Sequence, residues 1–495
     1  MRNTEETTLP PPEITSRASP IICYGLLLAS IVLLVASFYQ RVLHGDEAWI
    51  GEQAYWAAKE GAVRSELFRG FLGAESRQWV YHWLFVWQAA AVIKVAGWSV
   101  TGLKLISLSY LGIFLLISYR HLRRHYLHSA AACCLFYAVL LSNALLVEYS
   151  FVFRPEVMLM CLGFGSWIML ERSLHRPTPR LGYAALGALL AGLAALTHLN
   201  GLIYVAAGLG LLLLRRQYRA AVLFGGVSGL VFSVAFLDVL VHNAWPAYFA
   251  QLAPAVNPEP HRVLAYLLHV LNEHKRFLHS PVEAVLSVLG LAAGLLLYRT
   301  HSGTPRRADA ALYLGLLIGA LACLSPGKTT KYLLLYLPHI GLFITLAFVY
   351  LSKHRPWQRW LLGSLLLLYL LTNAGYTGYL ISRHEDRVAK NQQLARQLAS
   401  YQHCRVVAPL ELVFNQINNF TIQGVPCYLV RMEAGQLPPD GRVLFTEAAR
   451  FHRQLIILND NSLHDLGLPR PVVGRTYGKY RYAYRFQDYY IYKAL

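Results

Sequence analysis

Long apolar runs alternate with short polar breaks along most of the chain. A hydrocarbon core about 30 Å thick needs roughly 17 to 25 apolar helical residues per crossing. Candidate spans lie at 20–42, 103–119, 130–147, 153–171, 181–197, 200–214, 220–241, 282–298, 309–324, 332–351 and 360–381, which predicts eleven transmembrane helices. The first follows a polar, Pro-rich start, LPPPEITSRASP, with no A-x-A cleavage pattern after it, and reads as a signal anchor. A further stretch at 81–97, YHWLFVWQAAAVIKVAG, carries Tyr81, Trp83 and Trp87 with Trp79 just before it. That composition suits a helix lying at headgroup level.

Charge in the loops sets the expected topology. With 81–97 dipping into the interface and returning, five short loops share one side: RHLRRHYLHS, ERSLHRPTPR, RRQYR, RTHSGTPRR and SKHRPWQR. Together they hold 15 Arg or Lys and one acid, Glu171. The positive-inside rule places them in the cytoplasm. The expected map has a cytoplasmic N-terminal segment (1–19) and a membrane module (20–381) with a long first outer loop at 43–102 and a second at 242–281. Short outer turns lie at 147–156, 197–201 and 325–332. From 382 to 495 the composition shifts. A polar stretch of helical spacing (383–402) precedes short β-type runs, RVVAPL, CYLV, RVLFTE and QLIILN, and a Tyr-rich end, which predicts a small extracytoplasmic α/β or α+β domain. Short loops and a compact tail point to a plasma membrane, the bacterial inner membrane in particular.

Composition agrees and narrows the function classes. Of 495 residues, 56% are hydrophobic and 14% charged, against about a quarter charged in soluble domains. A cytosolic enzyme and a disordered chain are both excluded. The net charge of +19 does not indicate nucleic acid, because the basic residues are divided among loops and form no compact stripe. Seven cysteines include no CxxC, so neither a disulfide framework nor a zinc site is indicated. Cys404 and Cys427 each open an expected strand, leaving a disulfide or two free thiols as alternatives.

The ionisable residues that topology does not explain collect on the expected outer face. HGDEAWIGEQAYWAAKEG (44–61) places Asp46 and Glu47 just after the first span. A partly desolvated carboxylate there suits a general base for an acceptor hydroxyl; the plainer alternative makes Asp46 the cap of a helix from Glu47 to Lys59. Lys328, Lys331 and Arg154 lie in outer turns and suit an anionic headgroup, with snorkelling to lipid phosphates as the alternative. Glu148, Arg154 and Glu156, placed below headgroup level, require partners. His198 and Asn200 interrupt an apolar stretch, Asn200 as an ordinary hairpin turn. A divalent metal is left open through Asp46, Glu47 or Glu156, and none is required.

These pieces, in this order, resemble the GT-C superfamily of membrane glycosyltransferases, closest to glycosyltransferase family 39 with its protein O-mannosyltransferases and aminoarabinose-transferase relatives. The resemblance covers about 20–350. The family's acidic pair is matched by Asp46-Glu47, and its H-P-P-L juxtamembrane segment in outline by the run from Tyr81, with His82 followed by Trp83 and Leu84 in place of the prolines. Its outer R-P-D element is matched by Arg154-Pro155-Glu156, its T-K-x-x-G turn by Thr197-His198-Leu199-Asn200-Gly201, and its K-x-x-R-Y-x-L-P element by Lys328, Lys331, Tyr332 and Pro338.

The resemblance implies sugar transfer, with inversion, from a polyprenyl-phosphate-linked donor to a glycan, lipid or protein acceptor at the outer membrane face. Asp46 (with Glu47) would do the base chemistry, and Lys328, Lys331, Arg154 and His82 would hold the donor phosphate. Glu156, His198 and Tyr332 are further site candidates. The competing classes are a transporter or flippase of lipid-linked or anionic substrates, and a non-catalytic protein of the same build. A transporter would favour internal repeats and mid-span charges; no convincing repeat is found, and Asp238 is the nearest case of a mid-span charge.

Overall fold

The computed structural model describes residues 18–38, 44–175, 180–253, 267–268, 270–299, 304–325, 328–351, 356–383 and 385–495. The expected N-terminal segment, except for its last two residues, the end of the first span, and parts of the inner loops and of the second outer loop lie outside the described residues.

Every expected span corresponds to a helix. In order these are α1 (Ala18–Ala36), α4 (Val100–His125), α5 (Ala130–Ser142) with α6 (Ala144–Ser150), α7 (Glu156–Leu174), α8 (Leu181–Thr197), α9 (Leu202–Leu214) and α10 (Tyr218–Ser233). The helices Pro281–Arg299, Pro305–Leu324, Leu337–Leu351 and Pro356–Ser382 complete the set. Among the described residues six helices are long and apolar enough to cross a membrane alone. The α5–α6 pair, bent by 73° at Asn143, would make a seventh. The expected crossings are thus matched helix for helix, but only six or seven of them in length. The chain is a multi-pass membrane protein.

Helices meet closely where side chains are small, since lipid-embedded helices associate through packing rather than hydrophobic transfer. α8 presents Ala184, Gly187, Ala188, Ala191 and Gly192 as a buried face. A Cβ on Gly192 would lie 2.9 Å from the Ser228 carbonyl of α10, so only glycine allows that approach. At one end of the bundle Glu171 takes His121 and Arg306, and Asp309 takes His175 and Arg215. Four loops predicted to share one side therefore do share one end.

At the other end, the site end, the first loop folds into α2 (Gly45–Glu60) and α3 (Trp83–Ala96). The buried face of α3, including Phe85, Val86, Ala89 and Ala90, forms one cluster with Ile50, Ala54 and Ala57 of α2. Arg77 of this loop pairs with Asp238 at 2.5 Å, so the nearest approach to a mid-span charge is already neutralised by the loop above it.

The C-terminal region begins with the expected polar helix, Arg387–Gln397, and builds a six-stranded mixed sheet in the order β2-β1-β3-β6-β5-β4. Its strands are β1 Arg405–Ala408, β2 Thr421–Gly424, β3 Leu455–Asn459, β4 Thr476–Tyr477, β5 Tyr480–Phe486 and β6 Tyr489–Ala494. β1 is parallel to β2 and β3, and the rest is antiparallel. Two expected strands are helices instead. CYLV lies in Val425–Glu433 and RVLFTE in Val443–Arg450. Pro426 in the first turn starts the former, and Val425, Tyr428 and Arg431 recur at intervals of three on its buried side. Runs this short do not separate a strand from a buried helix by pattern alone. Cys404 and Cys427 are both free thiols, the latter buried.

This sheet shares a core with the first loop. Ala48 and Leu67 cluster with Val406, Leu412 and Ile457, the Trp98 indole donates to the Phe414 carbonyl, and Gly424 donates to the Leu67 carbonyl at 2.9 Å. The first loop is thus clasped between bundle and sheet.

Candidate active site

The site is organised by the start of α2. His44, not Asp46, caps the helix: its Nδ1 accepts from the Asp46 amide, while Glu47 Oε2 accepts from the His44 amide at 2.8 Å. That reciprocal pair closes the orphan donors of the first turn. Relieved of capping, Asp46 sits one position inside the helix, its side chain 45% exposed. Glu47 is fully buried. Its Oε1 accepts from the Phe153 amide at 2.6 Å, and Lys104 lies 3.7 Å away. Expected beside Asp46 as a catalytic group, Glu47 instead ties α2 to the 151–156 turn with both oxygens engaged.

Arg154 stands at the centre. Its guanidinium donates to Asp46 on one side and to Glu156 on the other, at 2.9 Å. The Tyr149 ring lies 5.8 Å beneath it, and its own carbonyl accepts from Ser107. Glu156 is 1% exposed, so it depends on this cation. Lys331 lies 3.9 Å from Glu156, beyond hydrogen-bond length, with its ammonium 5.5 Å from the Tyr332 ring. Burial and the neighbouring Arg154 lower the Lys331 pKa. Burial alone would raise the Asp46 carboxyl, but the Arg154 ion pair and hydrogen bond outweigh it and hold the group below the ordinary carboxylate range. Arg154 loses from burial and gains more from Glu156 and Asp46, so it is held charged.

Two histidines complete the wall. His82 and His198 stack with ring centroids 4.7 Å apart and planes at 17°. His198 Nδ1 accepts from the Asn200 amide at 3.0 Å, which leaves Nε2–H to donate to the Tyr332 hydroxyl at 3.2 Å. Burial pushes the His82 pKa down to about 4 and that of His198 well below the usual imidazole range, so both rings are neutral near pH 7. The turn carrying His198 needs Gly201: a Cβ there would lie 2.2 Å from the Ala194 carbonyl.

Of the residues expected from sequence, Asp46, Arg154, Glu156, Lys331, Tyr332, His198 and His82 converge here. Lys328 does not join them. Its amine is held by Glu273 at 2.8 Å, and Glu273 also takes Arg276. His44 and Tyr149 are site residues that sequence reasoning passed over; the one signal for His44 was its place directly before the acidic pair. As for metal ligands, Arg154 takes Glu156 and two backbone amides take Glu47. Among the described residues no group of three or more His, Cys, Asp or Glu side chains is placed to hold an ion.

A helical bundle whose first loop folds onto the membrane face and is clasped by a C-terminal sheet, with the acidic residue just past the first helix facing a basic turn, has the fold of the GT-C membrane glycosyltransferases. No family model matches the sequence, and no curated protein does. Among solved structures, the aminoarabinose transferase ArnT from Cupriavidus metallidurans superposes over 96% of this chain and 98% of its own. The TM-score is 0.63 at 14% identity for its apo form. It is 0.61 at 13% identity for the form bound to undecaprenyl phosphate, with the same coverage. The Archaeoglobus fulgidus oligosaccharyltransferase AglB, in complex with an inhibitory peptide and a dolichol-phosphate, matches 90% of this chain and 70% of its own, with a TM-score of 0.53 and 10% identity.

Proposed function

We propose that this protein transfers a glycosyl group from a polyprenyl-phosphate-linked donor to an acceptor hydroxyl at the site end of the bundle, with inversion, and that the site end faces away from the cytoplasm. The observation that carries the reading is the Asp46–Arg154–Glu156 relay with Lys331 beside it. It sets an ionised carboxylate and a cation of unspent hydrogen-bonding capacity at the membrane face of a GT-C fold. The ligands named for the structural neighbours, undecaprenyl phosphate and a dolichol-phosphate, support the donor class.

Each residue has a role in this reading. The bilayer retains the polyprenyl tail, at about 0.8 kcal/mol per buried methylene, so the protein need grip only phosphate and sugar. Asp46 gives one oxygen to Arg154; among the described residues its Oδ1 makes no hydrogen bond and can accept the acceptor's proton. As that proton leaves, the hydroxyl oxygen bonds to the anomeric carbon and the bond from that carbon to the phosphate oxygen breaks. Lys331 stabilises the charge gathering on the departing polyprenyl phosphate. Neutral His82 and His198 and the Tyr332 hydroxyl order the pocket without adding charge. Arg154 holds Asp46 in place and ionised.

The acceptor is a glycan, lipid or protein bearing a hydroxyl, with the C-terminal sheet next to the site as its docking element. The test compares lipid-linked sugars in cells with the wild-type protein, without it, and with Asp46→Asn. The donor should accumulate in the last two and a surface glycan should vanish; an unchanged lipid-linked pool in both would refute the reading.

A further inference from the structure

The outer half of the C-terminal sheet is basic. Between Leu466 and Gln487 stand Arg470, Arg475, Lys479, Arg481 and Arg485 and no acid, and none of β4, β5 and β6 contains an acidic residue. Arg470 and Arg485 reach back to Asp460, at 3.3 and 3.6 Å. Arg475, Lys479 and Arg481 are exposed and Lys493 is half-buried. Arg481 on β5 and Lys493 on β6 are direct cross-strand partners, so their side chains leave the same face of the sheet with Cβ atoms about 5 Å apart. Like charges so placed destabilise a sheet. A cation pair at this position is a cost to the fold.

Aromatic rings line the same face. Tyr484 is the partner of Ile491, two residues before Lys493 on β6, which puts its ring on the Lys493 side of the sheet. The Lys493 ammonium lies 5.1 Å from the Tyr401 ring and 5.7 Å from the Tyr484 ring. The patch also stands away from the bundle. The turn joining β5 to β6 carries Asp488, which takes Arg387 and Lys390 at 3.4 and 3.0 Å, in the helix that follows the last expected span. Counted from Phe486 and Tyr489 beside that turn, Arg481 is five residues up β5 and Lys493 four up β6, about 13 to 17 Å along the strands.

We propose that this face binds an anionic glycan chain, with a carboxylate or phosphate of the chain bridging Arg481 and Lys493 and a sugar ring lying against Tyr484 and Tyr401. Charge complementarity selects an anion: one acidic group within reach of both cations removes the repulsion that the bare sheet carries. The rings select a sugar over an acidic peptide, because the C–H face of a sugar packs on an aromatic face. The distance from the last span selects a chain extending away from the membrane over the headgroups of the surrounding bilayer. That this chain is the acceptor rests on the transferase reading; the binding itself does not.

The test is the binding of labelled polygalacturonate, dextran and polyglutamate of similar length to the full-length protein in phosphatidylcholine nanodiscs, with no donor present. The wild type should bind polygalacturonate about tenfold or more tighter than either of the others, the worth of one charge-assisted contact. Lys493→Glu should abolish the preference over dextran while raising the melting temperature, since it turns a repulsive pair into an attractive one; lost binding is then not lost folding. Tyr484→Leu should bring polygalacturonate down to the level of polyglutamate. Equal binding of polygalacturonate and dextran by the wild type overturns the proposal, as does a preference that survives Lys493→Glu. Polyglutamate bound as tightly as polygalacturonate overturns it in favour of an acidic protein partner. Quenching of a fluorophore on Lys479→Cys by nitroxide-labelled lipid overturns it in favour of the bilayer. Because no donor takes part, refutation of the transferase reading leaves this test intact.

Discussion

The Asp46 carboxylate and the Arg154 guanidinium form an ion pair across 108 positions of sequence. This contact joins the first turn of α2 to the loop before α7, and it couples the base to its electrostatic environment.

The two partners should fail differently when replaced. Asp46→Asn keeps the size and partial exposure of the side chain, so the protein should insert and melt near the wild-type temperature while transfer falls by about 10²- to 10⁴-fold. Arg154→Gln strands the buried Glu156 and should cost about 3–5 kcal/mol of stability. Melting curves and single-turnover transfer on the two variants separate the cases; a normally active Asp46→Asn removes the proposed base.

The same ion pair sets the pH dependence. The Asp46 pKa is depressed in the fold, so its contribution to stability is present above the unfolded value and is lost as pH falls through the folded one. Catalysis needs the ionised form as well. Its acid limb should therefore lie below the ordinary carboxylate value of about 3.9, with no loss from Asp46 between pH 7 and 5. Arg154→Lys, a weaker and less directional partner, should move that limb upward. A pH profile of kcat/KM on both proteins is the check.

The two lysines expected to share one task should separate. Lys331→Ala should raise the donor KM about tenfold or more, the worth of a charge-assisted bond to phosphate. Lys328→Ala removes a partner of Glu273 and should leave the donor KM within about twofold, lowering the melting temperature instead. Equal KM effects would place Lys328 at the phosphate after all.

Glu47 should prove structural. Glu47→Gln presents an amide where two backbone amides require acceptors, which should cost about 1–3 kcal/mol. Transfer by the folded fraction should stay within a few-fold of wild type. A drop in kcat as large as that of Asp46→Asn, with an unchanged melting temperature, would return Glu47 to the chemistry.

Orientation is read by labelling. In intact cells a membrane-impermeant thiol reagent should reach Gln436→Cys, on the C-terminal sheet domain, and should reach Gln217→Cys, between α9 and α10, only after the membrane is opened. The reverse pattern would invert the topology and turn the site end inward.

Spans, loop charges and the run of site motifs were legible in the sequence because bilayer insertion acts on local composition: twenty apolar residues declare themselves without knowledge of their neighbours. The helices at 425–433 and 443–450 were not legible, because a run of four to six residues with a short apolar stretch fits a strand as well as a buried helical face. Glu47 and Lys328 show the same limit at the site. Both carry suitable charges at suitable positions, yet one is consumed by the Phe153 and His44 amides and the other by Glu273.

By itself the sequence determined that the chain is a membrane protein, which segments form the helices of its bundle, and that its uncommitted charges gather at one face. Only the tertiary structure decided which of those charges meet. It freed Asp46 from capping by giving that task to His44, set Arg154 between two carboxylates, and clasped the first loop against a C-terminal sheet. The physical reason is that hydropathy is a property of each segment, whereas an ion pair depends on the distance between segments, and packing alone sets that distance.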